Sequence, residues 1–294
     1  MPISTTWRNL RKICNLHIFA SQKLDANQNL RRNKVEQLIA DVGDSSHIGE
    51  SIEISTFAFK TTLNLISNIV FSIDYADSSS NTALEFREIL LVIKESIRRR
   101  MAIHSKKMMN IFDKEIEKRS ELRKMNDYIP AQDFLDSLLQ ISEDDNEELD
   151  RNLIKHLFFD LFTAGTDTTT TEVDIKIHNF VIPKGAQVLI NAWAIGRDPN
   201  FWEEPELFSL ERFIESEVDV KGTNFGLIPF GGGRRICPGL LLAIRMLPLM
   251  LGALIHSFDW ELEGGVTPQS LNMDETYGLI LQKAQPLKVI PRSI

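Results

Sequence analysis

The sequence predicts a mainly helical protein with a small β portion. Two long stretches, 51–171 and 236–256, carry apolar residues at helical spacing, whereas short alternating segments lie between and after them. The 294 residues are 43% hydrophobic and 25% charged, a globular composition that excludes disordered, collagen-like and coiled-coil chains. Either one large domain or two small ones would fit this length.

Charge and cysteine content exclude several classes of function. The net charge is −8, so general attraction to nucleic acid or to an anionic membrane is not expected. Residues 1–40 differ from the rest, with seven basic and two acidic side chains. Cys14 and Cys237 are the two cysteines, which excludes a disulfide framework, and no Cys or His pair has the spacing of a structural zinc site.

The first half of the chain is predicted to be helical. A basic amphipathic helix over residues 1–24 is favoured over a transit peptide, and a largely buried helix follows over 51–73. Residues 82–124 are predicted to be helical with many charges on one face. The acidic run 143–148 is expected to be a solvated loop, and 151–171 begin a helix rich in Leu and Phe.

That last helix runs into Ala164-Gly165-Thr166-Asp167-Thr168 and three further threonines. Glycine and threonine lower helix propensity, and threonine hydroxyls compete for backbone carbonyls. Two interpretations stay open. The helix end frays into a loop, or the helix is distorted to place a hydroxyl and a carboxylate beside a ligand.

After residue 173 the pattern changes to short strands. Asp174–Ile177 alternates like a strand, and Val188–Ile190 is predicted to be a second one. Between them, Pro183–Gly185 is predicted to be a turn with proline at its second position and glycine at its fourth. Residues 277–290 are again predicted to form short strands.

The longest apolar stretch runs from Ile236 to Ile255. Arg245 and Pro248 interrupt it, and a membrane-spanning helix rarely carries both. The stretch is therefore predicted to be a buried core helix.

The most informative segment runs from Phe230 to Gly239. Its glycines allow the backbone to approach a ligand closely, and Arg234 and Arg235 add fixed positive charge. Cys237 precedes the apolar helix, whose positive end favours a thiolate. A phosphate-binding loop fits less well, because no Lys-Ser/Thr pair follows. For Cys237 taken alone, a buried structural cysteine is the alternative.

The spacing Phe-x-x-Gly-x-Arg-x-Cys-x-Gly resembles the heme-binding signature of the cytochrome P-450 family. The residues that match its fixed positions are Phe230, Gly233, Arg235, Cys237 and Gly239. Three shorter motifs agree in order, namely Trp7-x-x-x-Arg11, Ala164-Gly165-Thr166-Asp167-Thr168 and Leu210-Glu211-Arg212-Phe213. The sequence is most similar to plant microsomal members that act on terpenoids, the geraniol 8-hydroxylase and ferruginol synthase group. The resemblance implies a partial cytochrome P-450 fold.

The resemblance also implies heme b (iron protoporphyrin IX) as the cofactor, with Cys237 as the thiolate axial ligand of the iron. Trp7, Arg11 and Arg235 would bind the heme propionates, since arginine can bind a carboxylate with two nitrogens. Phe230 would pack beside the sulfur. Further cofactor-binding positions are Ala164, Gly233 and Gly239.

Catalytic and substrate residues follow from the same resemblance. Thr168 would hydrogen-bond bound dioxygen, and Asp167 would help to relay protons. An exposed carboxylate at a helix end is the alternative for Asp167. The substrate would contact Phe159, Leu279 and Ile280, which indicate only an apolar pocket.

The chain departs from the family pattern in three places. By this resemblance we expect the membrane anchor and the first helices to be absent, because Trp7 would already lie in the propionate-binding helix, and we expect a segment to be missing near Glu95. Thr171 is followed directly by Glu172 and a strand, where the family has helices that include the one carrying Glu-x-x-Arg. The expected architecture is a single partial domain over 1–294.

These missing helices predict two weaknesses. Arg212 would lack the Glu and Arg partners that clamp its segment in the family. Because an unpaired buried charge is costly, either Arg212 reaches solvent or the region is loose. Apolar side chains after residue 151 would lose their packing, namely Leu157, Phe158, Phe159, Leu161 and Phe162. We therefore expect this chain to aggregate or to hold heme poorly.

The implied function is that of a heme-thiolate monooxygenase, which inserts one oxygen atom from O2 into a small apolar plant metabolite such as a terpenoid. The alternative is a non-catalytic heme-binding protein or a cofactor-free fragment. Family members lie on the endoplasmic reticulum membrane and face the cytosol, whereas this chain without an anchor could be cytoplasmic.

The implied electron donor is NADPH–cytochrome P-450 reductase, and no nucleic acid is expected as a partner. The local positive charge near the start of the chain would steer an acidic reductase. The residues predicted to dock it are Arg8, Lys12, Arg31, Arg32 and Lys34. A solvated helix face is the alternative.

Overall fold

The computed structural model describes residues 4–77, 84–86, 88–90, 98–144, 149–163, 169–170, 175–188, 190–276 and 282–294. The chain divides into two compact units. The first, here called the cysteine unit, comprises Met1–Asn15 and Asp167–Ile244. The second, here called the helical unit, comprises Leu16–Thr166 and Arg245–Ile294.

The α-helices of the described residues account for most of the regular structure. They are α1 Thr5–His17, α2 Ser21–Ala26, α3 Gln28–Ile48, α4 Ile54–Phe71, α5 Arg98–Arg123, α6 Phe134–Asp144, α7 Arg151–Thr163, α8 Ala192–Ile195 and α9 Leu240–Ser257. Residues 84–86 and 88–90 are also helical. Short 3-10 turns cover Glu211–Phe213, Gly233–Arg235 and Glu263–Gly265.

The strands are short and antiparallel. They are β1 Ile52–Glu53, β2 Thr169–Thr170, β3 Ile175–Ile177, β4 Phe180–Ile182, β5 Gln187–Val188, β6 Phe258–Leu262, β7 Glu275–Thr276, β8 Gln282–Lys283 and β9 Lys288–Ser293. In the helical unit β9 lies between β1 and β6, with Ile52 opposite Val289 and Trp260 opposite Pro291. The other strands form the pairs β2–β5, β3–β4 and β7–β8. The predicted fold class, mainly helical with a small β portion, is confirmed.

The core of the helical unit is an aromatic cluster. Phe158 of α7 meets Phe71 of α4 edge to face with ring centroids 5.0 Å apart, and Phe162 stacks on Phe71 at 5.9 Å. Phe112 of α5 lies 5.6 Å from Phe158. Leu157 and Phe158 are 5% and 0% exposed. The expectation that α7 loses its packing is therefore wrong for Leu157, Phe158 and Phe162, because helices of the same unit pack against them, whereas Phe159 and Leu161 are half-buried.

Helix α9 is largely apolar, and one of its faces is buried. Leu242, Met246 and Met250 recur every four residues on one face and are at most 7% exposed. On the opposite face Leu247 and Leu251 are each 60% exposed. We call the face that carries Leu247 and Leu251 the outer face of α9. The prediction of a buried core helix is wrong for this face, because none of the described residues covers it. Among the described helices, α9 has the length and composition that could cross a membrane.

The structure differs from two local predictions. The turn before β5 is closed by the N–H of Ala186, which donates to the Pro183 carbonyl over 3.1 Å, with Gly185 at φ +82°. Glycine therefore occupies the third turn position, which needs a positive φ. The acidic run does not begin in a loop, because Glu143 belongs to α6 and pairs with Arg123 at 2.7 Å.

The described part of the threonine run is a strand and not a helix. Thr169 and Thr170 form strand β2 and pair with Val188 and Gln187. Strand backbone suits threonine, whose β-branched side chain packs well on a pleated surface. The choice between a frayed and a distorted helix end falls on residues 164–168, which lie outside the described residues.

Candidate cofactor site around Cys237

The segment Phe230–Cys237, called the cysteine loop below, is closed by a backbone hydrogen bond. The N–H of Cys237 donates to the carbonyl of Phe230 over 2.9 Å. Within the loop, the N–H of Gly231 donates to Ile228, and the N–H of Ile236 donates to Gly233 over 3.2 Å. These bonds satisfy the backbone of a tight turn and bring Cys237 back beside the start of the loop.

Two glycines give the loop its shape. Gly231 has φ +71° and Gly233 has φ +65°, in the left-handed region that glycine adopts without steric cost. A Cβ atom built on either residue would meet no atom within 4 Å. The loop therefore has open space beside its backbone, into which a flat ligand could come close.

Cys237 stands between the loop and helix α9. Its thiol is free and half-buried. The N–H of Leu240 donates to the Cys237 carbonyl over 3.4 Å, and the N–H of Ala243 donates to the carbonyl of Gly239. The predicted positions of Cys237 and Gly239 at the start of the apolar helix agree with this geometry.

Helix α1 places two predicted residues against the cysteine loop. Trp7 and Arg11 are four residues apart and so lie on one face of α1. Nη2 of Arg11 donates to the carbonyl of Ile236 over 2.5 Å. The guanidinium carbon of Arg235 lies 5.4 Å from the centre of the Trp7 ring, a cation–π contact. The structure thus brings Trp7, Arg11 and Arg235 together beside Cys237.

Gly222 supports the loop and was not predicted. It is buried, with φ +80°. A Cβ atom on this residue would lie 2.8 Å from the Gly231 carbonyl oxygen and 2.9 Å from Cδ1 of Ile236. Only glycine lets the two backbones approach so closely. The sequence signal is a glycine after lysine in a polar segment, which is too common a turn pattern to indicate this role.

Several predicted residues cannot be placed in this site. Ala164, Asp167, Thr168, Leu279 and Ile280 lie outside the described residues. Phe159 is half-buried in α7 of the helical unit. In the cysteine unit, a solvent-open cavity of about 440 Å³ shares no residue with the cysteine loop. Its lining residues are Asn191, Ala194, Ile195, Arg197, Asp198 and Pro199.

Arg212 is not the unpaired buried charge that was expected. It is half-buried, and Nη2 donates to the carbonyls of Leu207 over 2.7 Å and Glu204 over 3.2 Å. Its guanidinium carbon also lies 5.9 Å from the centre of the Trp202 ring. Backbone carbonyls at the preceding turn therefore take the place of carboxylate partners.

Two of the five predicted docking residues are buried. Arg31 is 6% exposed and donates to the Leu24 carbonyl, and Lys34 is 3% exposed and pairs with Asp74 at 2.5 Å. Both side chains serve the interior of the helical unit. The three predicted residues that remain exposed are Arg8, Lys12 and Arg32.

Comparison with known proteins places the chain in a family. Residues 3–173 and 170–291 match the sequence model of the cytochrome P-450 family. The chain belongs to this family. It is 37% identical to geraniol 8-hydroxylase of Catharanthus roseus, an alignment that covers 100% of this chain and 77% of that protein. Identity to drimenol monooxygenase of Persicaria hydropiper is 35%, over 100% and 75% of the two chains.

Cytochromes P-450 are heme-containing monooxygenases, so this chain is an oxidoreductase of that class. A third relative, geranylhydroquinone 3''-hydroxylase of Arnebia euchroma, is 36% identical over 99% of this chain and 76% of its own length. These relatives confirm the predicted resemblance to the plant group that includes geraniol 8-hydroxylase.

The match to the family is in two parts. The two matched stretches meet at residues 170–173. The alignment with geraniol 8-hydroxylase extends over 380 positions, whereas this chain has 294 residues. The relative therefore carries residues that have no counterpart in this chain.

The residues around Cys237 fit a heme. The thiol is half-buried, the glycine backbone leaves open space, and Arg11 and Arg235 bring positive charge that suits carboxylates. In the part of the chain that the structure describes, no group of three or more His, Cys, Asp or Glu residues could hold a metal ion. A heme needs no such group, because the porphyrin supplies four nitrogen ligands and the protein adds an axial one.

Proposed function

We propose that this chain is a heme-thiolate monooxygenase that hydroxylates a terpenoid-like apolar substrate. The observation that carries the proposal is the cysteine loop, in which a half-buried thiol stands beside open glycine backbone and two arginines. The names of the relatives, a geraniol hydroxylase and a drimenol monooxygenase, support the substrate class.

The residues of the cysteine unit would hold the cofactor from one side. Cys237 would bind the iron as thiolate, and Arg11, Arg235 and Trp7 would hold the propionates. Phe230 is half-buried at the start of the loop and would keep water from the sulfur. When bound, the heme supplies the activation of O2 and the insertion of one oxygen atom into the substrate.

The other face of the cofactor is assigned to Ala164, Asp167 and Thr168. In this proposal Ala164 packs on the porphyrin, the Thr168 hydroxyl holds a proton near the reacting oxygen, and the Asp167 carboxylate moves protons to it. In the same proposal, Phe159, Leu279 and Ile280 line the pocket for the apolar substrate. A Thr168→Ala variant should consume electrons without a matching amount of product, which the ratio of product to NADPH oxidised would measure.

The electron donor is proposed to be NADPH–cytochrome P-450 reductase at the cytosolic face of the endoplasmic reticulum. The exposed side chains Arg8, Lys12 and Arg32 would attract its acidic surface. Charge reversal at all three should lower the rate of heme reduction at low salt, and the difference should shrink as ionic strength rises. Equal rates at every salt concentration would remove these residues from the docking surface.

The domain is proposed to be a single partial cytochrome P-450 domain over 1–294. The family helices that carry Glu-x-x-Arg would be missing between Thr171 and Glu172, where the two family matches meet. A chain with the corresponding segment of geraniol 8-hydroxylase inserted at this junction should hold heme more tightly than the present chain. The heme-to-protein ratio after gel filtration would measure this.

The central experiment is the spectrum of the reduced carbon-monoxide complex after reconstitution with heme. The present chain and a Cys14→Ala control should show the red-shifted absorption of thiolate ligation, and Cys237→Ser should lose it. Thiolate absorption that persists in Cys237→Ser would refute the assignment. Product formation from geraniol with reductase and NADPH would then separate a monooxygenase from a non-catalytic heme protein.

A further inference from the structure

Residue Ile236, which precedes the cysteine, has both backbone polar groups bonded. Its N–H donates to the Gly233 carbonyl inside the loop over 3.2 Å. Its carbonyl accepts from Nη2 of Arg11 over 2.5 Å, across 225 positions of the sequence. The peptide that leads into Cys237 is therefore fixed both from within the loop and from helix α1.

The contact of α1 with the loop has two points. Arg11 holds Ile236, and Trp7, one helical turn earlier, lies under the guanidinium of Arg235 at 5.4 Å. Because Trp7 and Arg11 share one face of α1 and Arg235 and Ile236 are consecutive, the two contacts restrain the loop against rotation as well as translation. Both contacts lie within the cysteine unit.

The bond from Arg11 also leaves the guanidinium able to make others. A guanidinium carries five N–H donors in a fixed plane, and the Ile236 carbonyl uses one of them. Arginine can therefore hold the loop and still offer donors to an anionic group. Lysine, with a flexible ammonium, could not keep both directions fixed.

We propose that Arg11 is a positioning residue for Cys237, which holds the cysteine loop in its closed form through the Ile236 carbonyl before any cofactor binds. This role adds to the propionate contact assigned above. The positioning role matters only if Cys237 binds heme, so in that respect it rests on the proposed function. The hydrogen bond from Arg11 to the Ile236 carbonyl, however, needs no heme. The loop should therefore be ordered in the heme-free chain, and this order should depend on Arg11.

The test is hydrogen exchange of the heme-free full chain, followed at the Cys237 amide, whose N–H closes the loop. Arg11→Ala should speed this exchange about tenfold, which corresponds to about 1.4 kcal/mol in loop opening. Arg8→Ala, which removes the same charge from the exposed side of α1, should leave it unchanged. Arg11→Lys should recover part of the protection. Amides of the helical unit should keep their protection in all variants.

A second readout uses the two cysteines. Iodoacetamide should alkylate Cys237 faster in Arg11→Ala than in the original chain, whereas the rate at Cys14, which is 5% exposed, should not change. Equal Cys237 exchange and alkylation in the original chain and in Arg11→Ala would overturn the proposal, as would an equal effect of Arg8→Ala.

If Arg11→Ala loses protection from hydrogen exchange throughout the chain, Arg11→Gln is used to separate a local effect on the loop from general unfolding. This variant keeps an N–H donor on a shorter side chain. Faster exchange confined to 231–237 would support the positioning role, and a uniform loss would refute it. Since no step uses heme, a chain that never binds heme would contradict the proposed function while leaving this inference intact.

Discussion

Arg119 binds Asp133 with both terminal nitrogens, Nη1 at 3.0 Å from Oδ1 and Nη2 at 2.9 Å from Oδ2. Asp133 is 7% exposed and also accepts hydrogen bonds from Ser72 and from the N–H of Asp136. The Phe71 carbonyl accepts from Nη2 of Arg119 as well. This ion pair therefore joins the end of α4, helix α5 and the start of α6 in the helical unit.

Removal of one partner from this pair should be strongly destabilising. Asp133→Ala removes the carboxylate that binds both terminal nitrogens and leaves the half-buried guanidinium only Asp136, whose Oδ2 lies 3.1 Å from Nη1. We expect a loss of about 3 kcal/mol in the free energy of unfolding. The control is Glu261→Ala, which breaks the exposed pair with Arg292 and should cost about 0–1 kcal/mol. Urea denaturation would measure both, and similar losses would contradict the structural assignment.

Stability should depend on pH through Asp136. Burial raises the pKa of this carboxyl, but the hydrogen bond from Tyr128 and the charge of Arg119, with further hydrogen bonds, outweigh it and hold the pKa below its ordinary value. Because the folded pKa lies below the unfolded one, the stabilisation is present above the ordinary pKa of about 3.9. It should be lost as pH falls through the lowered value.

The variant Tyr128→Phe tests this dependence. It removes the phenol hydrogen bonds to Asp136, which are 2.7 and 2.8 Å long, and should bring the folded pKa closer to the unfolded one. The free energy of unfolding should then fall less steeply between about pH 5 and pH 3 than in the original chain. An unchanged slope would show that Tyr128 does not set the pKa of Asp136.

Gly222→Ala should disturb the cysteine loop. The alanine would adopt φ +80° and its Cβ would lie 2.8 Å from the Gly231 carbonyl oxygen. Gly185→Ala is the matched control, with φ +82° in the same unit but no atom within 4 Å. The control should cost about 1–2 kcal/mol for the left-handed backbone alone. Gly222→Ala should cost more and should also speed hydrogen exchange over 231–237, and equal effects would exclude close packing at Gly222.

Arg212→Met should destabilise the cysteine unit. Arg212 donates to the carbonyls of Leu207 and Glu204, and a methionine of similar length keeps the packing but removes both bonds. We expect a loss of about 1–3 kcal/mol, since these bonds involve a charged donor. An unpaired charge would instead make the methionine variant more stable than the original chain, so urea denaturation distinguishes the two descriptions.

The effect of a substitution in helix α9 on stability should depend on which face of the helix carries it. Leu251→Lys changes a side chain that is 60% exposed and should alter stability by less than about 0.5 kcal/mol while reducing self-association. Met250→Lys places a charge where methionine is 7% exposed and should unfold the surrounding structure. Denaturation and light scattering would measure these effects. Equal destabilisation by both would mean that the outer face is covered.

The sequence alone determined those features that depend on local chemistry. The helical spacing of apolar residues predicted most of the helices, because the period of 3.6 residues is a property of the chain itself. The motif around Cys237 predicted the loop, since glycines at fixed positions allow the left-handed backbone that Gly231 and Gly233 adopt. The family and its monooxygenase activity followed from the same motif.

Only the tertiary structure decided which partner each side chain meets. Arg31 and Lys34 look like surface charges in the sequence, but the fold buries them against Leu24 and Asp74. The turn before Arg212 supplies it with carbonyls, which no sequence pattern indicates. Hydrogen bonds act over about 3 Å, and folding brings together residues that are far apart in the chain.

The dependence on tertiary contacts also explains why the two apolar helices α7 and α9 differ in burial. Their sequence shows that each has faces able to be buried, but burial depends on what other elements lie nearby. Phe158 of α7 is fully buried and contacts three aromatic rings, whereas Leu251 of α9 stays exposed. The bond from Arg11 to Ile236 spans 225 positions, so the fold alone determines how helix α1 holds the cysteine loop.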